Sequence, residues 1–308
     1  MYLLILRKKG ENMKKLFSII AIVSTFLIVN SVLADINEGL VAYYPFNGNA
    51  DDQTGNGHNG TVYGATLTNG HLENDNGAYN FDGNDYIEIP GNQNLYPGNH
   101  DYSISVWIKS SARPSQFMNI VYNQESWSND AVVLSLSPSG QVTWVFHDNN
   151  GGGMCRIDTT QTVTDGEWHH ISAIRNRSKN VSQVYIDSIL AGEAQDTNAN
   201  VVIPLRNKLY IGKRGNIKSE RYFNGVIDEV RIYNKALSNN DIQELYNKNS
   251  LVSGCINLKD NPIQNGKAML MQSGEIFQST PLDKNGCYKF YKVDEDKPFG
   301  VMIRRLID

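Results

Sequence analysis

The chain has 308 residues, with 28 basic and 32 acidic side chains and a formal net charge of −4 at pH 7. Its first 34 residues contain five lysines or arginines and one glutamate, a surplus of four positive charges, so the remainder is near −8. An acidic chain without blocks of basic residues excludes nucleic acid and anionic membranes as expected partners. The charge is compatible with an extracellular protein that binds a cation.

The N-terminal segment has the pattern of a secretory signal peptide. Two lysines precede an apolar run over residues 16–29, and small residues end the segment at Ala34, where we predict cleavage. A membrane anchor is the alternative, but the run is shorter than the roughly 20 residues of a spanning helix. We expect a secreted or cell-surface protein without stable membrane insertion. Residues 1–12 fit no signal pattern, which indicates Met13 as the true start.

Residues 48–60, GNADDQTGNGHNG, separate two predicted strands and contain no aliphatic side chain larger than alanine. A phosphate site would need a helix N-terminus after the glycines, whereas a strand is predicted there. A linker would need separate modules on either side, whereas both flanking strands belong to one predicted domain. Glycines let backbone carbonyls turn inward, and carboxylate and carbonyl oxygens are the ligands that Ca²⁺ prefers. We predict a structural Ca²⁺ bound by Asp52 and by backbone oxygens around Asn56 and His58, with Asp51 as the second-choice carboxylate. An ordinary hydrogen-bonded loop is the alternative.

Segments rich in β-branched and aromatic residues recur along 35–246, separated by clusters of Gly, Asn, Asp and Pro. This spacing is typical of a β-sandwich. Helical signals are confined to the segment after Leu237, where Ser238 and Asp241 have the spacing of a capping box and Ile242 begins an apolar face. The predicted strands are TVYGATL, DYIEIP, DYSISVWIKS, AVVLSLS, QVTWVFHD, HHISAIRN, VSQVYIDS, KLYIGK and GVIDEVRIY.

A second, small β module is predicted over residues 252–308, after a linker at 247–251. Its sequence resembles the carboxypeptidase regulatory-like, transthyretin-type sandwich, on the Ser-Gly pair at 253–254, a turn over 262–266 and the DKNGCY segment at 283–288. A plain β extension of the first domain is the alternative.

Two of the three cysteines, Cys255 and Cys287, lie in this small module, each directly after a glycine at a predicted strand start. In an oxidising compartment a bridge between them would stabilise a module too small for a large core. Two buried thiols are the alternative. Cys155 is left over and should be unpaired.

The motifs of residues 39–246 identify a family resemblance. In chain order they are GLVAYYPF (39–46), DQTGNGHNGTV (52–62), FDGNDY (81–86), SISVW (103–107), DGEWHH (165–170), YID (185–187), FNGVIDEVRIY (223–233) and ALS (236–238). The region resembles the laminin G-like jelly-roll domains of secreted bacterial proteins, within the concanavalin A-like lectin/glucanase group. The resemblance implies an all-β jelly-roll sandwich with one short C-terminal helix, followed by the small β module.

The resemblance also adds a fourth residue to the predicted calcium site. Related jelly-roll domains place the glycine-rich loop beside a strand near the C-terminus of the domain, and that strand here supplies Asp228. It further implies that Trp107 and Trp168, which lie in strand motifs, belong to the core.

No enzymatic activity is predicted. In glucanases of this group two catalytic carboxylates alternate along one strand and share a face. The nearest candidates, Asp228 and Glu229, are adjacent and should point to opposite faces, and position 230 is valine. His169 and His170 are adjacent in the same way, which disfavours a metal pair.

A non-catalytic binding module is therefore the predicted function, with exposed aromatics as candidate contacts. Trp127 lies in the polar segment NQESWSND, Tyr122 and Tyr222 flank similar loops, and His147 follows a strand. An exposed aromatic ring beside polar groups suits a saccharide. The expected partner is a glycan or cell-surface polysaccharide; the alternative is a structural surface domain that binds an extracellular protein.

Overall fold

The computed structural model describes residues 35–91, 95, 96, 98, 100–123, 131–148, 153–196, 208–215, 221–247 and the strands within 252–305. The predicted signal peptide and Trp127 lie outside these residues. No helix in the described part of the chain is long and apolar enough to cross a membrane.

The described residues of 35–247 form a sandwich of two antiparallel sheets. Its strands are β1 (Leu40–Tyr44), β2 (Thr61–Tyr63), β3 (Thr66–Thr68), β4 (Ala78–Asp82), β5 (Tyr86–Pro90), β6 (Tyr102–Lys109), β7 (Met118–Tyr122), β8 (Ala131–Leu136), β9 (Gln141–Asp148), β10 (Gly153–Thr162), β11 (Trp168–Asn176), β12 (Val181–Ile186), β13 (Ile189–Gln195), β14 (Lys208–Ile211) and β15 (Asn224–Tyr233). One sheet has the order β13-β12-β11-β6-β15-β4-β3, with β1 also paired to β15, and the other has the order β10-β9-β8-β7-β14-β5-β2. This arrangement confirms the predicted all-β jelly-roll sandwich.

Alternation along each strand sends one set of side chains into the core between the sheets. In β6 the core set is Ile104, Val106 and Ile108, all fully buried. Trp107 belongs to the opposite set, where it is half-buried and stacks on the imidazole of His71 with 4.5 Å between ring centroids. Its predicted place in the core is therefore wrong, because position 107 has the other parity. Trp168 is also half-buried, and among the described tryptophans it is Trp144 of β9 that lies in the core.

Helix α1 (Asn239–Asn247) begins at the predicted capping box. The amide of Asp241 donates to the Ser238 hydroxyl at 3.2 Å, and the Ser238 amide donates to the Asp241 carboxylate at 2.7 Å. Ile242 and Leu245 then pack with Leu237 in a second buried cluster on the outer side of the β6 sheet. The helix is thus capped and covers the face of that sheet that points away from the main core.

The described strands of 252–305 pair with one another. They are β16 (Val252–Cys255), β17 (Asn257–Leu258), β18 (Asn261–Pro262), β19 (Gly266–Gln272), β20 (Glu275–Pro281), β21 (Cys287–Phe290) and β22 (Phe299–Arg305). They form the sheets β16-β21, β17-β18 and β20-β19-β22. The likeness of this segment to a carboxypeptidase regulatory-like module stays a prediction.

The register of β16 on β21 places Cys255 directly opposite Cys287, whereas Cys155 of β10 is a free, buried thiol. Opposed residues of an antiparallel pair have Cα atoms about 4.5–5.5 Å apart, and disulfides span about 4.4–6.8 Å. The backbone pairing is therefore compatible with the predicted bridge.

We expect non-reducing peptide mapping of the exported protein to find a peptide that joins Cys255 to Cys287. Reduction should then lower the free energy of unfolding by about 3 kcal/mol, because the chain between the two cysteines is no longer closed into a loop in the unfolded state. Cys155→Ser is the matched control and should leave the mapped bridge intact. Free thiols at both positions would contradict the prediction.

Candidate functional site

A groove of about 270 Å³ lies on the seven-stranded sheet, on the face that points away from the core. Its volume is close to the lower end of the range for small-molecule sites. The described residues that line it are Phe117, Asn119, Tyr122, Val133, Ser135, Thr143, Val145, His147, Met154, Arg156, Arg214 and Arg221.

Strand register builds the floor of the groove as a row across four neighbouring strands. Tyr122 of β7 is paired with Val133 of β8, Val133 with Val145 of β9, and Val145 with Arg156 of β10. Because opposed residues in a sheet project from the same face, the four side chains lie side by side. Their strand neighbours of opposite parity, such as Leu134, point into the core.

The segment after β14 brings two arginines to the same face. Gly212 has a φ of +87°, a conformation that L side chains rarely adopt, and a Cβ there would collide with the Phe81 ring. Beyond this turn the amide of Arg214 donates to the carbonyl of Arg221 at 3.2 Å. The Asn119 side-chain amide, from the floor, also donates to the Arg221 carbonyl, at 3.0 Å. Both arginine backbones are therefore fixed at the groove.

The side chains of the arginines lie against aromatic rings. The guanidinium of Arg214 lies 5.9 Å from the Tyr122 ring, and its Nε donates to the phenol oxygen at 3.2 Å. The guanidinium groups of Arg221 and Arg156 lie 5.6 and 5.4 Å from the Phe117 ring. Burial raises the pKa of Tyr122, so its phenol keeps its proton at neutral pH. The groove therefore combines flat apolar faces with several hydrogen-bond donors.

The lining is positively charged, although the chain as a whole is acidic. Its twelve described residues include three arginines and neither aspartate nor glutamate. Arg156 is paired with Asp158 through two hydrogen bonds of 2.7 and 2.9 Å, whereas the Nε of Arg221 is buried and donates no hydrogen bond. Burial lowers the pKa of Arg221, and the positive charge of Arg214 lowers it further.

Two of the four predicted ligand contacts meet in this groove. Tyr122 and His147 both line it, although Tyr122 is buried and forms part of the floor. Tyr222 is half-buried outside the lining, next to Tyr86, and Trp127 lies outside the described residues. The sequence did not predict Arg214 and Arg221 as groove residues. The available signal was an arginine at the centre of each of two segments, KRG (213–215) and ERY (220–222), on either side of residues 216–219.

The loop of the predicted calcium site is closed by hydrogen bonds to Asp52. Its carboxylate accepts from the amides of Tyr43 at 3.1 Å, Thr54 at 3.0 Å and His58 at 3.2 Å, and from the Thr54 hydroxyl at 2.8 Å. The Asn56 side chain donates to a β1 carbonyl. These donors occupy the carboxylate positions that a cation would use. A metal ion would therefore have to displace them.

Asp228 lies in a different hydrogen-bond set. Its Oδ2 accepts from the amide of His71 at 3.0 Å and contacts His71 Nδ1 at 2.7 Å, while its buried Oδ1 has no hydrogen-bond partner. Burial raises the pKa of Asp228, and the His71 contact opposes that rise. Across the described part of the chain, no group of three or more His, Cys, Asp or Glu side chains could hold a metal ion. Asp52 and Asp228 thus take part in separate hydrogen-bond sets, and the predicted calcium site, which combines carboxylates with backbone oxygens, stays a prediction.

The members of each adjacent pair, Asp228 with Glu229 and His169 with His170, have separate partners. A β-bulge interrupts the register after Asp228, and Glu229 contacts Arg231 at 2.6 Å rather than the His71 ring. His169 contacts the carboxylate of Asp187, which raises its pKa, whereas burial lowers the pKa of His170 to about 3. Neither pair presents two groups to one accessible site.

Known proteins share this fold. Residues 81–243, more than half of the chain, match the family described as the concanavalin A-like lectin/glucanases superfamily. The chain is 27% identical over 165 residues to the Rattus norvegicus protein "Sushi, von Willebrand factor type A, EGF and pentraxin domain-containing protein 1", covering 52% of this chain and 4% of that protein. It is also 27% identical over 199 residues to "Botulinum neurotoxin type X" of Clostridium botulinum, covering 62% of this chain and 14% of the toxin. The chain thus spans only a small part of these relatives.

Solved structures agree on the fold. Domain 4 of AbnA, a GH43 extracellular arabinanase from Geobacillus stearothermophilus in complex with arabinotriose, has a TM-score of 0.53 at 21% identity, covering 67% of this chain and 98% of that domain. The binding domain of Paraclostridial Mosquitocidal Protein 1 has a TM-score of 0.58 at 19% identity, covering 77% of this chain and 59% of that structure. With the family match, these observations lead to one conclusion. The chain belongs to the concanavalin A-like lectin/glucanase superfamily.

Proposed function

We propose that the chain is an exported, non-catalytic carbohydrate-binding module and that the groove on the seven-stranded sheet is its ligand site. The observation that supports this best is the composition of the groove. Apolar faces from Phe117, Tyr122 and Met154 lie among the polar groups of Asn119 and His147.

A saccharide needs both kinds of surface. The C–H face of a sugar ring packs on flat or polarisable side chains, and its hydroxyls need donors and acceptors at the rim. Met154 is 55% exposed and can contact such a ring, while Phe117 and His147 are each half-buried at the groove surface. Aromatic rings that are already fixed lose little conformational entropy when a ligand packs on them.

One structural neighbour supports the choice of a saccharide over a protein partner. The arabinanase domain, 98% of which the match covers, was solved with arabinotriose. That ligand belongs to the arabinanase, and it indicates that the same fold can carry a sugar-binding site. Export follows from the predicted signal peptide and is part of the proposal.

The proposed site predicts that His147→Ala and Phe117→Ala each weaken glycan binding about tenfold, or about 1.4 kcal/mol, because each removes a contact from a small interface. A glycan array with the mature chain first identifies the ligand, and titration calorimetry then compares the variants. His100→Ala is the matched control, since His100 is exposed and does not line the groove.

Wild-type affinity in both groove variants would exclude the groove as the ligand site. An array without any signal, together with capture of a defined extracellular protein, would favour the protein-binding alternative.

Calcium at the 48–60 loop is a second, separate proposal. A bound ion should raise the free energy of unfolding by about 2.7 kcal/mol at a hundred times its dissociation constant. We expect the melting temperature to be higher in Ca²⁺ than in EGTA. Asp52→Asn or Asp228→Ala should abolish this difference, and Asp51→Ala should reduce it less. Equal midpoints for the wild-type chain would leave Asp52 with only its hydrogen-bonding role in the loop.

A further inference from the structure

The charge of the groove contrasts with that of the rest of the molecule. The chain carries a net charge of −4, yet the described lining contains three arginines and no carboxylate. Positive charges gathered in an acidic protein repel one another, and their repulsion is stronger near a surface of low dielectric constant than in water. Such a cluster is stabilised when an anion binds.

Arg221 is the side chain most suited to an anion. Its guanidinium lines the groove, and its buried Nε has no hydrogen-bond partner. Burial and the nearby Arg214 charge both lower its pKa. A negative group beside the guanidinium would offset both effects, because it stabilises the charged form. Arg156 is already neutralised by Asp158. An incoming anion can therefore bind to the part of the Arg221 guanidinium that lines the groove, and not to the buried Nε.

The groups around Arg221 indicate which kind of anion fits the groove. A guanidinium presents parallel N–H groups that match the two oxygens of a carboxylate. The Arg221 guanidinium also lies 5.6 Å from the Phe117 ring, and Phe117 lines the groove with Tyr122. An anion bound at Arg221 would therefore have a flat apolar surface beside it, as a carboxylated sugar ring requires.

We propose that the groove selects saccharides that carry a carboxylate, such as uronic or sialic acids, and that Arg221 is the residue that determines this specificity. The inference rests on the proposed function, because it assigns a substrate class to the same site. Arg221 pairs with the carboxylate through its two terminal nitrogens, because its Nε is buried, while Arg214 adds positive charge and the half-buried Phe117 ring contacts the sugar.

The test compares acidic sugars with their methyl esters, which keep the ring and remove the charge. Trigalacturonate and sialyllactose, each with its ester, are titrated into the full mature chain by calorimetry. We expect each acid that binds to bind about tenfold or more tightly than its ester, as for other hydrogen bonds to charged groups. Raising the salt concentration should reduce this preference. The two acids distinguish a uronic from a sialic ligand.

Arg221→Gln should remove the preference while the affinity for the ester stays within about twofold. Arg221→Lys keeps a positive charge but loses the planar pair of donors. The difference in binding free energy between acid and ester should therefore be less than half of that in the wild-type chain. Arg113→Gln is the matched control, because Arg113 is exposed, contacts the Ser139 carbonyl and does not line the groove. Melting curves of each variant establish that it is folded. If Arg221→Gln does not fold, the loss of the preference for the acid is measured on Arg221→Lys instead.

The outcomes separate the inference from the function on which it rests. Equal affinity for acid and ester, with binding still lost in His147→Ala, would overturn the carboxylate specificity and leave the sugar site in place. Tighter binding of a sulfated sugar than of either acid would also overturn it. Binding that no groove variant alters would overturn both proposals.

Discussion

Burial of one face of the seven-stranded sheet is the constraint on which the rest of the structure depends. Each strand has two faces, and the core between the sheets uses one of them. A shift of one residue would move the whole apolar set to the other face, so core burial fixes the register. The same register that buries Leu134 and Trp144 places Tyr122, Val133 and Val145 in a row on the opposite side. The groove is a consequence of how the core packs.

The walls of the groove depend on a second contact with the core. Phe223 is fully buried, and its amide donates to the carbonyl of Gly212 at 2.8 Å. That bond closes the segment between β14 and β15, at whose two ends Arg214 and Arg221 lie. The Gly212 amide is held in turn by the carbonyl of Ile120 at 3.0 Å. Two cations are thereby held close together, which is an arrangement that an anionic ligand stabilises.

Patterns that are local in sequence were predictable, and contacts between distant segments were not. The capping box of α1 and the sandwich follow from short-range spacing, and two candidate contacts named from strand-end positions, Tyr122 and His147, line one groove in the structure. The arginines come from a different part of the chain, and no sequence spacing relates Arg221 to Phe117. Trp107 was misplaced because a family motif shows that a residue is in a strand without showing which face it occupies.

Direct observation of Arg221 tests the central claim, that the groove binds the ligand through this side chain. In the full mature chain labelled with ¹⁵N, the Nε–Hε resonance of Arg221, assigned with Arg221→Lys, can be followed by NMR as trigalacturonate or sialyllactose is added. We expect whichever acid binds to shift this resonance, while the Arg113 resonance stays unchanged. Saturating binding of an acidic sugar that leaves the Arg221 resonance unmoved would contradict it.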